Sequence, residues 1–485
     1  MASPLRLEIH AMNRLLFSTM DEISRLLRSK EISPVEVVTA HLQQIQEQQP
    51  KLNAFVQFDA ESALKQAEKA ESAIVRGETR GALHGIPLSI KSCIDVAGWP
   101  CPAGSLLRKE YVPNLDAPLV SRLKGAGAVL LGNTNTPEFL MAYETNNLVS
   151  GKTSNPWALT HSAGGSSGGE AAAIAAGCSM GGVGSDGGGS VRVPAHFCGI
   201  AGLKPTPGRV PATGHFPAGA GAISWIGVVG PMARTVGDVR RLFEVLSGPD
   251  PGDALSAPVT ARKTEPEKLR GLRVGFLESE ALGGRTPETQ AAVEQAAKLL
   301  SSEGFGVEKF RLEGLDRAID LWWFFFGRVI GHLLKESIAG KEEYLSPIFR
   351  EYLGVATLQP AASLNEFLEA CARRDYLRAD LIRQMQEVDI LISPVSAGPA
   401  FLHGGGNYQS GTGYRDTMKY SQWLNLAGFP GLSVPLSQTQ EGLPIGVQLI
   451  GKPFDEEMIL AAGELLEAGR GRWKAPVDMN NQDGL

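Results

Sequence analysis

The stretch HSAGGSSGGEAAAIAAGCSMGGVGSDGGGSVRVPAHFCG, residues 161–199, decides how the rest of this chain is read. Glycine supplies 57 of the 485 residues, against a usual share of about 7%, and it crowds between Gly164 and Gly199. Crowding of this kind marks tight turns, or backbone brought close to a ligand or another chain segment. A flexible linker would be polar and of low complexity, whereas this stretch is flanked by apolar residues. Inside it, EAAAIAAG (170–177) reads as a short helix whose small side chains call for close packing.

Outward from that centre the pattern alternates. Before it, IPLSI (86–90) is a short apolar strand ending at Lys91, LVSRLKGAG (119–127) a helix stopping at glycine, and AVLLG (128–132) a buried strand. After it, GVVGPMA (227–233) reads as strand and turn, and residues 235–246 as a helix. LRVGFLE (272–278), VEKFRL (307–312), VDILISP (388–394) and LPIGVQLIG (443–451) read as further strands, with helices between them. The N-terminal 1–80 is helical: Thr19 with Glu22 forms a capping box, and Ser33-Pro34-Val35-Glu36 opens a helix to about residue 46. Such alternation predicts an α/β fold. GPDPGDALSAPVTARKTEPEK (248–268) is polar and proline-rich, so 249–268 is expected to be a surface loop. Long helices are expected over 315–385. There LWWFFFG (321–327) sets five aromatic residues in a row, more than one helix face can bury.

Composition excludes little. Charged residues are 20% and the formal net charge is −6, which gives no reason to expect nucleic acid or a membrane as partner. Five cysteines, an odd number without metal-ligand spacing, fit a reducing, cytoplasmic setting. The charged N-terminus has no signal-peptide core.

The motif Gly164-Gly165-Ser166-Ser167-Gly168-Gly169, followed by Gly184-Ser185-Asp186, Gly188-Gly189-Ser190, Arg192, Pro194-Ala195 and Cys198-Gly199, resembles the signature of the amidase signature family. GLKPTPGRV (202–210), LHGIPLSIKSCIDVAG (83–98), LGNTNTPEF (131–139) and NLAGFPGLSVP with GLPIGVQLIG fit the same family, and the likeness spans roughly residues 20–470. It implies one large α/β/α domain over 1–485, a central mixed twisted β-sheet covered by helices, with a signature core at 83–210. It also implies Ser190 as nucleophile, Ser166 as a bridging serine after a cis peptide bond, and Lys91 as base.

A serine hydroxyl needs a neighbour to take its proton, and a lysine does so only when burial or charge lowers its pKa. Lys91 by itself reads as a surface lysine past a strand end; its company changes that. Gly187, Gly188, Gly189 and Ser190 offer backbone N–H groups for an oxyanion hole, each such donor worth about 3–4 kcal/mol in other hydrolases. Gly187 stands where the family commonly has a bulkier residue, which would widen the pocket. Ser167 is expected to support by hydrogen bonding, Asp186 to hold the loop, Arg192 to anchor it, and Glu170 to cap the helix that follows. No metal and no organic cofactor is called for.

The resulting expectation is an amidase for aryl or hydrophobic acyl amides, acting through an acyl-enzyme and also on esters. The aromatic run reads as a helix packed on two sides or as the wall or lid of a hydrophobic pocket, and the choice of substrate leans on the second. Its partner would be a small-molecule amide, ester or carbamate, and the chain a monomer or homodimer. Carbamate hydrolysis, a glutamine amidotransferase subunit and an inactive binding protein are the alternatives. GGSSG also satisfies the G-x-S-x-G elbow of α/β-hydrolases, but no strongly apolar strand feeds it.

Overall fold

The computed structural model describes residues 14–218, 221, 224–262, 264, 266–277, 282–408, 413–471 and 473–476. Strands β1 (Phe55–Phe58), β2 (Pro87–Lys91) and β3 (Val129–Thr134) come first. The short strands β4 (Asn146–Asn147), β5 (Gly151–Lys152), β6 (Ser154–Asn155) and β7 (Ala158–Ser162) pair two by two. Then follow β8 (Gly181–Asp186), β9 (Ala201–Lys204), β10 (Val228–Ala233), β11 (Arg273–Leu277), β12 (Gly306–Phe310), β13 (Ile390–Pro394), β14 (Gly431–Gln438) and β15 (Pro444–Ile450). The 11-stranded sheet runs β1-β3-β2-β8-β10-β9-β14-β15-β13-β11-β12. It is mixed: β2 lies parallel to β3 and β8, β11 parallel to β12 and β13, and the other pairs are antiparallel.

Strand alternation divides the side chains between two layers. Leu88, Ile90, Leu130 and Val183 enter one core with Met20, Ile23 and Leu27 of the helix Met20–Arg28. Val129 and Leu131 enter another, with Val38, Leu42 and Ile45 of the helix Pro34–Leu52 and the alanines of the helix Gly168–Ala175. Both capping boxes form as the sequence predicts. The second helix runs past residue 46, because Pro50 falls in its last turn and Asn53 stops it in the left-handed conformation. Among the described residues no helix is long and apolar enough to cross a membrane.

Four strands of the sheet escape the sequence pattern, β1, β8, β9 and β14, and two of them show why. β8, GGVGSD, has almost no side chains to show a period, yet it lies between β2 and β10. A Cβ on Gly181 would stand 2.7 Å from Met20, one on Gly184 2.7 Å from Ser167 Oγ, and one on Gly182 1.9 Å from Glu170 Oε1. The strand is glycine-rich because helices press against it. β14 is interrupted by Pro435, where its pairing with β15 shifts register.

The segment 249–268 packs back on its neighbours where it is described. Ala257 donates to Gly208 O, and Asp253 accepts from the Ala212 amide. The aromatic run is resolved by a change of helix type. The helix Leu315–Trp322 gives way to a π-helical turn, Trp323–Val329, before the helix Ile330–Ser337. Trp322 and Phe325 are thereby buried and Trp323, Phe324 and Phe326 half-buried.

Candidate active site

Lys91 ends β2, and its side chain is wholly buried. Its Nζ donates to Ser166 Oγ at 2.6 Å, Ser167 Oγ at 2.9 Å and Ser185 Oγ at 3.0 Å. Each of these hydroxyls can also donate, so with no carboxylate in contact a neutral amine is satisfied by giving two hydrogens and accepting one, from Ser166. Burial lowers its pKa to about 8, opposed by the acidic groups Cys93, Asp186 and Glu170 nearby.

The Gly165–Ser166 peptide is cis. The turn is fixed from outside: Thr136 Oγ1 donates to Ser166 O at 2.6 Å, and Thr145 Oγ1 to Gly164 O at 2.9 Å. A Cβ on Gly165 would collide with Ala142 O at 2.6 Å, so the turn lies flat on the segment 142–144. Ser167 N donates to Ser190 O at 3.2 Å, which ties the two serine loops together.

Ser190 and Ser166 line one cavity of about 550 Å³. Its wall includes Met141, Ile226, Val329 and Leu333, with Asp186 and His215 as its ionisable members among the described residues. Ser190 follows β8 on a loop organised by Asp186. That carboxylate accepts from the Gly189 and Val191 amides at 2.7 and 3.1 Å and from Arg192 Nε and Nη2 at 3.0 and 2.9 Å. Burial alone would raise its pKa, but Arg192 and Lys204 hold it well below the usual carboxylate range. Arg192 in turn donates to Gln448 and Asn425, both buried. Its side chain is wholly buried and ties the Asp186 loop to these two residues.

Of the four amides read as an oxyanion hole, Gly189 differs from expectation: its N–H is committed to Asp186. Those of Gly187, Gly188 and Ser190 have no hydrogen-bond partner among the described residues. Trp322 of the aromatic run and Tyr143, which the sequence did not single out, orient this strip. Trp322 Nε1 donates to Gly187 O at 2.9 Å and the Tyr143 hydroxyl to Gly188 O at 2.6 Å. In a trans peptide the N–H points opposite the C=O, so holding Gly187 O aims the Gly188 amide the other way. A Cβ on Gly188 would strike Trp322 at 2.5 Å and Tyr143 OH at 2.7 Å. Gly187 opens on the cavity instead, with Ile226 and Phe326 both 3.9 Å from its would-be Cβ.

Glu170 does not cap its helix. It is buried with its oxygens on Ser89 Oγ and Thr134 Oγ1. Of the two readings of the aromatic run, packing takes most of the rings: of the five, Phe326 alone borders the 550 Å³ cavity. Trp322 serves the glycine strip and Phe325 the core between helices. Ser185 was visible within the motif but carried no role. Thr136 lay likewise within LGNTNTPEF without a role, and Tyr143 carried no signal, since only the fold brings it to residues 187–190.

The amidase family model matches residues 36–460. The A subunit of the glutamyl-tRNA(Gln) amidotransferase of Carboxydothermus hydrogenoformans is 34% identical over 477 residues, covering 93% of this chain and 97% of that one. The same subunit of Desulfatibacillum aliphaticivorans is 35% identical, covering 92% and 96%. The structure of that subunit from Thermotoga maritima superposes with a TM-score of 0.80 at 27% identity, covering 95% of this chain and 98% of that one. These relatives overturn the expectation of a free-standing amidase for aryl or hydrophobic acyl amides. That expectation leaned on the aromatic run, whose rings the fold spends largely on packing. What stands is the family and its bond: this chain belongs to the amidase signature family, enzymes that hydrolyse amide C–N bonds.

Proposed function

We propose that this chain is the amide-cleaving subunit of a glutamine-dependent amidotransferase. Its near full-length likeness to the A subunits of such enzymes carries the reading. The buried 2.6 Å bond from Lys91 to Ser166 supports the chemistry. In this reading 1–485 acts as one unit, with 83–210 carrying the reaction and 315–385 part of the cavity wall.

Neutral Lys91 takes the proton of Ser166 as Ser166 takes that of Ser190. Ser190 Oγ bonds to the carboxamide carbon, and the carbonyl pair becomes an oxyanion at the Gly187, Gly188 and Ser190 amides. The C–N bond then breaks, and the nitrogen leaves as ammonia with a proton returned from Lys91 through Ser166. Water attacks the acyl ester, its proton follows the same route, and Ser190 is regenerated. Ser167 and Ser185 hold Nζ in line, and Asp186 with Arg192 keeps the loop in place.

An amidotransferase subunit works beside partner subunits on an acceptor carried by tRNA. The expectations of a small-molecule partner alone, without nucleic acid, and of a monomer or homodimer are replaced accordingly. A cytoplasmic setting suits the role. The described cavity wall contains no lysine or arginine.

The test is ammonia release from glutamine by the purified chain, alone and with co-expressed partner subunits, beside turnover of 4-nitroacetanilide. Glutamine-dependent ammonia that rises with partners and vanishes in Ser190→Ala supports the reading. Rapid anilide turnover by the isolated chain, with no ammonia from glutamine under either condition, would sink it.

A further inference from the structure

Beneath the lysine lies a buried acid for which the scheme above has no use. Glu170 stands in the first turn of the helix Gly168–Ala175. Its Oε1 accepts from Ser89 Oγ at 2.5 Å and its Oε2 from Thr134 Oγ1 at 2.7 Å. Ser89 and Ser179 lie 2.9 Å apart through their hydroxyls. The one Ser89 hydrogen goes to the carboxylate, so Ser179 donates to Ser89.

Ser89 and Lys91 are two apart on β2 and so share a face of the sheet. Thr134 is the register partner of Lys91 on β3. Glu170 therefore grips both strands on the side from which Lys91 reaches Ser166. Room for it exists because residue 182, opposite Ser89 on β8, is glycine: a Cβ there would lie 1.9 Å from Oε1.

We propose that Glu170 is a positioning residue for Lys91, a buried carboxyl that pins the lysine-bearing strand and, when ionised, favours the protonated lysine formed as Ser190 attacks. The inference rests on Lys91 acting as base. The groups facing Lys91 are Glu170 from the helix, Cys93 from its own segment and Asp186 from β8, the last already neutralised by Arg192. Those facing Glu170 are Lys91 and Cys93, with His215 beside Cys93 and Arg234 beyond Ser179. Burial raises the Glu170 carboxyl to about 7, against the two hydroxyl donors and Lys91, which pull it down. Each group's charge shifts the other's titration, so the two titrate as a pair.

The experiment measures the rate at which a fluorophosphonate probe labels Ser190, from pH 5 to pH 10, so no natural substrate need be known. In Glu170→Gln the shape and both contacts persist but the charge is gone. The acidic limb is expected to move to lower pH by about half a unit or more, and the plateau rate to fall several-fold. Ser89→Ala is a milder second variant that keeps the acid and removes one donor; it should move the limb the same way by less. Two folded variants with the wild-type midpoint, or with rates reduced equally at every pH, would overturn the proposal. Labelling that survives Ser190→Ala defeats the catalytic reading itself, and Glu170's role with it.

Discussion

The glycine–serine stretch 161–199 and the aromatic run 321–327 are the two conspicuous passages of this chain, and they fare differently in the fold. In the first, nearly every polar atom has one destination. Ser166 and Ser167 meet Lys91, Asp186 meets Arg192, and the glycines lie where a methyl group would collide. In the second, five rings of similar chemistry go to different uses: glycine strip, core and cavity edge. Polar groups in a buried site need specific partners, whereas an apolar ring is satisfied by any apolar surroundings. A motif of short polar residues therefore states its geometry, and a run of aromatics states only that it will be buried.

The comparison breaks most readily at Lys91. Lys91→Met should lower kcat for amide hydrolysis about 10⁴-fold or more with the protein folded; a loss below tenfold would show that the first region does not work as a unit. The proposed mechanism requires a neutral Lys91, whose pKa burial lowers to about 8. The kcat/KM is thus expected to rise with pH through about 8 and to fall below it, as a pH–rate profile would record.

Arg192→Met tests whether the loop's order depends on its anchor. It leaves Asp186 buried and unpaired, and should cost about 3–5 kcal/mol in denaturant unfolding. Preserved stability would mean that the Asp186 amide contacts suffice.

The aromatic run divides within itself. Trp322→Phe keeps the ring and loses the hydrogen bond to Gly187 O. A loss of about 1–2 kcal/mol in transition-state stabilisation is expected, roughly tenfold in kcat with little change in KM. Phe324 touches Phe325 and Arg328 but lines no described part of the cavity. Phe324→Ala should leave kcat/KM within about twofold. Equal effects at 322 and 324 would erase the distinction between a functional ring and a packing ring.

Much of the fold was readable from local pattern. The capping residues Thr19 and Ser33 act over three residues, and the strands at 87–91, 129–134, 390–394 and 444–450 carry continuous apolar runs. β8 was not readable, because its period is written in the helices that press on it.

Sequence alone determined the family, the alternating α/β layout and the trio Lys91, Ser166 and Ser190 as candidates, because short motifs with fixed spacing encode local chain geometry. Only the tertiary structure decided that Tyr143, Thr136 and Trp322 hold the turns at 164–166 and 187–188, that Gly189's amide is already committed, and that Glu170 lies under Lys91 instead of capping its helix. Those contacts join residues up to 135 positions apart. A hydrogen bond acts over about 3 Å of space, and no local pattern in the chain records which distant partner the folded sheet brings within that distance.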